Sequence, residues 1–214
     1  MLGLKKRKFG RIVVKDKRDK KFMLVRKKSS KNSKYWDDSH WFGDQKTASS
    51  CVGHAWAHWL NCAPFRQYLD PTGIYKLAQY QDSWKGEAYD GTSVRAGAQV
   101  LSALGFLKSY QWTWDVDTLV STLLEVGPVV VGTNWYAGMS SPKDGLLRIT
   151  GASQGGHAYL LTGVNRSKGL IRMKNSWNKS WGIKGRALIT FDDMAKLLDE
   201  EGECCIGVEA EAKV

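Results

Sequence analysis

The spacing of hydrophobic and polar positions changes near the middle of the chain. Before about Gly127, apolar residues recur at helical intervals: Val52, Ala55, Trp56 and Trp59 form one set, residues 74–80 a second, and Val94, Ala98, Leu101 and Leu104 a third. Such intervals bring side chains to one face of a helix. Ser49 and Ser50 precede the first set, and a hydroxyl there favours the helix start because it accepts from an orphan backbone N–H. Asn61 and Pro64 end that helix, Pro71-Thr72-Gly73 reads as a turn before the second, and Gly105 stops the third. Residues 83–91 read as a loop. Beyond Gly127 the pattern becomes short β-branched or apolar runs at 128–132, 157–164, 170–174 and 186–191, then a short helix at 192–200 and a last strand at 205–208. Between them, residues 137–156 form a long polar connection, a length that more often carries function than not. A helical half followed by a strand-rich half predicts an α+β molecule of two lobes.

At 214 residues with 43% hydrophobic content and ten Trp, the chain can bury one large core or two smaller ones. No run approaches the ~20 apolar residues of a membrane span, and the basic N-terminus lacks the apolar stretch of a secretory signal. A cytoplasmic or otherwise intracellular protein without a membrane role is expected. The net charge of +11 is unevenly divided: residues 1–34 hold 15 Lys and Arg against Asp16 and Asp19, whereas the rest holds 17 basic and 19 acidic residues. This divides the chain into a basic arm, 1–34, and a domain, 35–214. A solvated lysine-rich terminus is the commoner meaning of such an arm; the other is a binding element for nucleic acid or an anionic polymer. The apolar pieces at 12–14 and 22–25 suggest short strands or docking contacts within it. Cys51, Cys62, Cys204 and Cys205 make no disulfide framework in a chain of this length, and no CxxC pair suggests zinc.

Chemistry concentrates around Cys51. A cysteine in the first turn of a helix lies where aligned peptide dipoles favour thiolate, the nucleophilic form. Alone, a cysteine there usually means packing. Here Gln45 precedes it by six positions, Gly155-Gly156-His157-Ala158 opens a strand of the second half, and Asn175 follows the next strand. His54 and His58 have the i, i+4 spacing of a zinc helix, yet the residues between them offer no general base, and no metal site is assigned.

The order Gln45, Cys51, His157, then Asn175-Ser176-Trp177-Asn178-Lys179-Ser180-Trp181-Gly182-Ile183-Lys184-Gly185, resembles the motifs of the papain-like cysteine peptidases over roughly residues 41–190. The resemblance implies a helical lobe at about 45–110, an antiparallel β-rich lobe at about 111–214 and a cleft between them. It implies a cysteine endopeptidase without cofactor, acting on a peptide or protein substrate. Cys51 would be the nucleophile, His157 its proton acceptor, Asn175 the residue orienting the imidazole, and Gln45 a donor to the oxyanion beside the Cys51 N–H. Trp177 would cover the His157–Asn175 hydrogen bond. Substrate contacts implied are Gly91, with Asp90 in place of a first glycine, Asn134 and Trp177, and also Val94, Ala96 and Trp135. Val52 stands where relatives have Trp, and Ala48 where secreted members have a disulfide cysteine. The 106 positions from Cys51 to His157 suggest a trimmed helical lobe, similar to bacterial and bacteriophage versions. The forty or so residues before Gln45 are too few for a long prosegment, and residues 15–22 resemble a stretch seen upstream of some bacterial members, so a complete protein is expected. Two other functions stay open: a catalytically silent relative that binds a peptide or partner, and a cell-wall peptide hydrolase.

Overall fold

A computed structural model describes residues 7–84 and 89–209. The first six residues of the arm, positions 85–88 of the expected loop and the last five of the β-rich lobe lie outside it. The elements run β1 (Ser33–Tyr35), α1 (Cys51–Asn61), α2 (Pro71–Gln81), α3 (Val94–Ala103), β2 (Leu107–Thr113), α4 (Val116–Glu125), β3 (Val129–Tyr136), β4 (Ser153–Asn165), β5 (Leu170–Lys174), β6 (Arg186–Thr190), α5 (Phe191–Asp199) and β7 (Glu203–Glu209). All strand pairs are antiparallel, in the order β2-β7-β3-β4-β5-β6, with β1 added to β4. The expected α+β architecture is present. Among the described residues no helix is long and apolar enough to cross a membrane.

Two cores share the sheet. Val130, Ala158, Leu160 and Cys205 pack with the helical residues Val52, Trp56, Leu60, Ile74 and Leu101. Their strand neighbours Val129, Val131, Tyr159, Leu161 and Cys204 pack with Leu119, Leu123 and Leu197 of α4 and α5. Successive strand side chains point to opposite faces, so the same strands serve both cores. Helix α1 is buried at every residue from Cys51 to Leu60, which makes it a central helix rather than a surface one.

Several local expectations need correction. Ser50 is the N-cap residue of α1 but makes no side-chain cap bond; its backbone is not extended, and its Oγ lies 3.3 Å from His54 Nδ1. Helix α2 begins at Pro71, inside the expected turn, because Asp70 caps it by accepting from the Gly73 N–H at 2.8 Å and proline suits the first helical position. Strand β4 starts at Ser153, inside the expected connection, and that connection also holds 3₁₀ turns at Ala137–Ser140 and Lys143–Gly145. Three elements were not anticipated: β1, β2 and α4. Strand β2 lies at the end of the sheet, where Lys108 stays exposed and alternation is weak, and α4 is announced only by Asp115, which accepts from the Thr118 N–H at 2.7 Å.

The arm is folded onto this body. Its residues Ser33–Tyr35 form β1, so a division at 34/35 falls inside that strand. Trp36 Nε1 donates to the Leu123 carbonyl at 2.8 Å. Next, Asp38 accepts from Arg186 Nε at 2.8 Å, lies 3.6 Å from Arg172 and receives buried Lys174 on its carbonyl oxygen. Lys174 and Arg186 also sit 4.3 and 4.6 Å from the Phe42 ring centre. This ties the segment leading to Gln45 to the strand end that carries Asn175. Asp38→Ala leaves those cations without their buried carboxylate and is expected to lower unfolding free energy by about 3–5 kcal/mol in urea titrations; a loss under about 1 kcal/mol would show that the cluster is dispensable.

Candidate active site

Three elements bring the expected residues to the seam between the cores. The first turn of α1 presents Cys51, β4 carries His157, and the chain leaving β5 carries Asn175; all three are fully buried. His157 Nε2 lies 2.8 Å from Asn175 Oδ1, and that oxygen also accepts from the Ser176 N–H at 2.8 Å. A carbonyl oxygen accepts, so Nε2 bears the proton and Nδ1 offers a lone pair. Nδ1 is buried with no hydrogen-bond partner. The Cys51 sulfur faces the backbone N–H groups of Ala158, the neighbour of His157, and of Gly10. Trp135 and Trp177 enclose the imidazole with ring centres at 4.7 and 5.2 Å.

Gln45 is held at the same place by the Asn-Ser-Trp run. Its backbone N–H donates to the Ser176 carbonyl at 2.9 Å, and its Oε1 accepts from Ser176 Oγ at 2.6 Å. This fixes the amide orientation, with Nε2 as the donor end turned away from Ser176. Nε2 donates to the carbonyls of Ala48, at 2.9 Å, and Lys8, at 3.0 Å.

The second of those carbonyls belongs to the arm, which runs along the cleft. Gly10 and Ile12 pair with Thr92, through Thr92 N–H to Gly10 carbonyl at 2.8 Å and Ile12 N–H to Thr92 carbonyl at 2.9 Å, a parallel bridge centred on Arg11. On the opposite wall the Arg11 N–H donates to the Gly156 carbonyl at 2.9 Å. Phe9 lies edge-on to His157 at 5.8 Å. Arg7 pairs with Asp44 and stands 5.7 Å from the Trp177 ring centre, and Lys8 pairs with Asp90 at 2.8 Å. The passage is narrow at Gly10, where a Cβ would overlap the Ser49 carbonyl. Gly91 has φ +105, and a Cβ there would come within 2.6 Å of the Gly10 oxygen, so glycine is needed on that wall too.

Each residue implied for substrate contact can now be placed. Asp90, Gly91 and Trp177 all touch the arm, Val94 is buried in α3 beside Gly132, and Ala96 is buried in the same helix. Asn134 donates its side-chain amide to the Glu200 carbonyl at 3.0 Å, bracing the turn before β7. His54 and His58 brace the loop before α1: His54 Nδ1 lies 3.0 Å from the Ser50 carbonyl, and His58 Nε2 accepts from the Gly43 N–H at 3.2 Å. Among the described residues, no group of three or more His, Cys, Asp or Glu could hold a metal ion. Ser176, Gly10, Arg11 and Glu203 escaped the sequence reading. For Glu203 a signal existed, an acid opening the otherwise apolar run Cys204-Cys205-Ile206.

Burial sets the protonation of the pair. It pushes the Cys51 thiol up despite the surrounding N–H groups that favour thiolate, and it pulls His157 down to about 4 despite the Asn175 hydrogen bond. With the arm in place, both groups are neutral around pH 7.

A fold of this kind, with Cys, His and Asn meeting at the seam of a helical and a β-rich lobe, defines the papain-like class. The model of papain family cysteine proteases matches residues 61–212, and the chain belongs to that family. The matched region includes His157 and Asn175 and begins after Cys51. Among solved structures the chain is similar to xylellain, a cysteine protease from Xylella fastidiosa, with 19% identity, TM-score 0.76 and coverage of 96% of this chain and 98% of the other. It is also similar to digestive procathepsin L 3 of Tenebrio molitor larval midgut, with 17% identity, TM-score 0.67 and coverage of 87% and 73%. A third likeness is proCathepsin B S9 from Trypanosoma congolense, with 13% identity, TM-score 0.69 and coverage of 93% and 86%. A search of curated proteins finds no match.

The His157 shift has a definite sign. Docked, the imidazole titrates at about 4; hydrated in an open cleft it returns toward 6.5, so the open state binds more protons between those values. Docking of the arm is at full strength above the upper value and weakens as pH falls toward the lower one. Hydrogen exchange at the Arg11 and Ile12 amides, corrected for intrinsic rate, should quicken by roughly 10- to 100-fold between about pH 7 and about pH 4.5. A flat profile would contradict the coupling.

Proposed function

We propose that the chain is a cysteine endopeptidase, hydrolysing peptide bonds through Cys51 and His157, held latent by its own residues 7–12. The observation that carries this reading is the fixed imidazole, with Nε2 committed to Asn175 at 2.8 Å and a buried, unpartnered Nδ1. In the reaction Nδ1 takes the Cys51 proton and the thiolate attacks the substrate carbonyl carbon. The oxyanion that forms accepts from the Cys51 N–H and from Gln45 Nε2. The imidazolium then returns the proton to the departing amine, leaving a thioester. Water, deprotonated by His157, hydrolyses that thioester and restores the thiol. Asn175 holds the ring through both transfers, and Trp135 and Trp177 keep water from competing for its hydrogen bond.

Latency is supported by what fills the cleft. The Lys8 carbonyl occupies Gln45 Nε2, the Gly10 N–H faces the sulfur, and the enclosed pair is neutral. A catalytically silent peptide-binding protein is the competing reading, favoured by a cleft that already holds a peptide segment.

Gly10→Val separates the two. The added side chain overlaps the Ser49 carbonyl and displaces the arm. Alkylation of Cys51 by a peptidyl epoxide, followed by mass spectrometry, should then quicken roughly tenfold or more, with hydrolysis of a fluorogenic peptide appearing in step. Cys62, whose thiol burial pushes up to about 12, should stay unmodified. A released arm with no turnover would favour the silent binder. In the same background, Gln45→Ala should keep labelling yet lose about 10²- to 10³-fold in kcat; unchanged turnover would remove Gln45 from the oxyanion site.

A further inference from the structure

Arg11 places its side chain differently from its neighbours on the arm. Lys8 meets Asp90 in the open, with both side chains more than half exposed, whereas the Arg11 side chain is fully buried. It leaves the cleft beside Gly132, where a Cβ would lie 2.8 Å from Arg11 Nε and 3.0 Å from Val94. Nε donates to Glu203 Oε1 at 3.0 Å, and Nη2 donates to the Glu201 carbonyl. Asn134 holds the turn that carries that carbonyl, through its own bond to Glu200.

The position of the carboxylate is unusual. Glu203 opens β7, followed by Cys204, Cys205 and Ile206, all buried and apolar, and its side chain is 8% exposed. An ionised carboxylate in such a place is costly unless a cation meets it. Arg95 approaches, but its guanidinium is engaged by Asp19. The cation that meets Glu203 arrives from the cleft. When the arm leaves, a slot remains with a carboxylate and a carbonyl at its end and a side wall lacking a Cβ. It is shaped for the flat, forked guanidinium that now fills it.

We propose that this slot is the side-chain specificity pocket of the cleft, that it selects a substrate arginine in the place of Arg11, and that Glu203 is the residue that determines the selection. This rests on the peptidase reading above. It differs from a purely tethering role for Glu203, in which the pair would hold the arm and have no bearing on which peptides are cleaved.

The test uses the full chain carrying Gly10→Val, so that the cleft is open, and fluorogenic peptides in which each residue before the cleaved bond is varied in turn. At one position arginine should exceed leucine by about 10- to 100-fold in kcat/KM, with lysine between them because it lacks the planar fork. Glu203→Leu should erase or invert that preference, read as the ratio of the arginine to the leucine kcat/KM. Glu203→Gln keeps the shape, guards against a folding defect, and should give an intermediate preference. Equal rates for arginine and leucine peptides at every position would overturn the proposal, as would a Glu203→Leu enzyme that gains equally on all peptides, the mark of a tether. Arginyl and leucyl peptide epoxides acting on Cys51 supply a readout independent of turnover. If neither labels Cys51 and no peptide is cleaved, the peptidase reading fails and this proposal falls with it. Labelling or cleavage without arginine preference overturns the pocket alone.

Discussion

The packing of α1 against β4 is the constraint on which everything else depends. Cys51 is the first residue of a helix buried on all sides, and Ala158, one residue after His157, lies in the same apolar cluster as that helix. Because strand side chains alternate, burying Ala158 and Leu160 against α1 turns Tyr159 and Leu161 into the other core. A slip of one residue in β4 would exchange the faces and carry the imidazole off the side where Trp135 and Trp177 enclose it. The register of the sheet thus sets the chemistry, and dispersion and hydrophobic burial set the register.

The same burial works in two directions. It dries the His157–Asn175 hydrogen bond and so strengthens it. It also disfavours every charge nearby, raising the thiol and lowering the imidazole. A sealed cleft is therefore well ordered, and it holds both groups neutral.

The arm's charge acquires a different meaning once folded. Arg7, Lys8, Arg11, Lys15, Arg26 and Lys31 meet Asp44, Asp90, Glu203, Glu201, Asp117 and Glu125 of the domain. Part of the arm's positive charge is therefore matched by carboxylates of the body. The exposed pairs add little each and weaken with salt. Backbone pairing with Thr92 and Gly156, the ring contacts of Phe9 and the buried Arg11–Glu203 pair set the register of the segment. Such docking is specific in position.

What the residues settled by themselves was local or motif-bound. Helical spacing located α1 and α3, a hydroxyl-rich loop before Cys51 located a helix start, and the order of Gln45, Cys51, His157 and Asn175 identified a two-lobe fold before any contact was known. Strand β2 and helix α4 were missed because one lies at a sheet edge with mixed polarity and the other rests on tertiary burial of Leu119 and Leu123. The path of residues 7–12 and the pairing of Arg11 with Glu203, 192 positions away, were decided only in three dimensions. Periodicity reports which side of an element is buried and not which distant segment covers it, and a run of lysine and arginine reads alike whether its counter-charges are on a polymer or on the chain's own cleft.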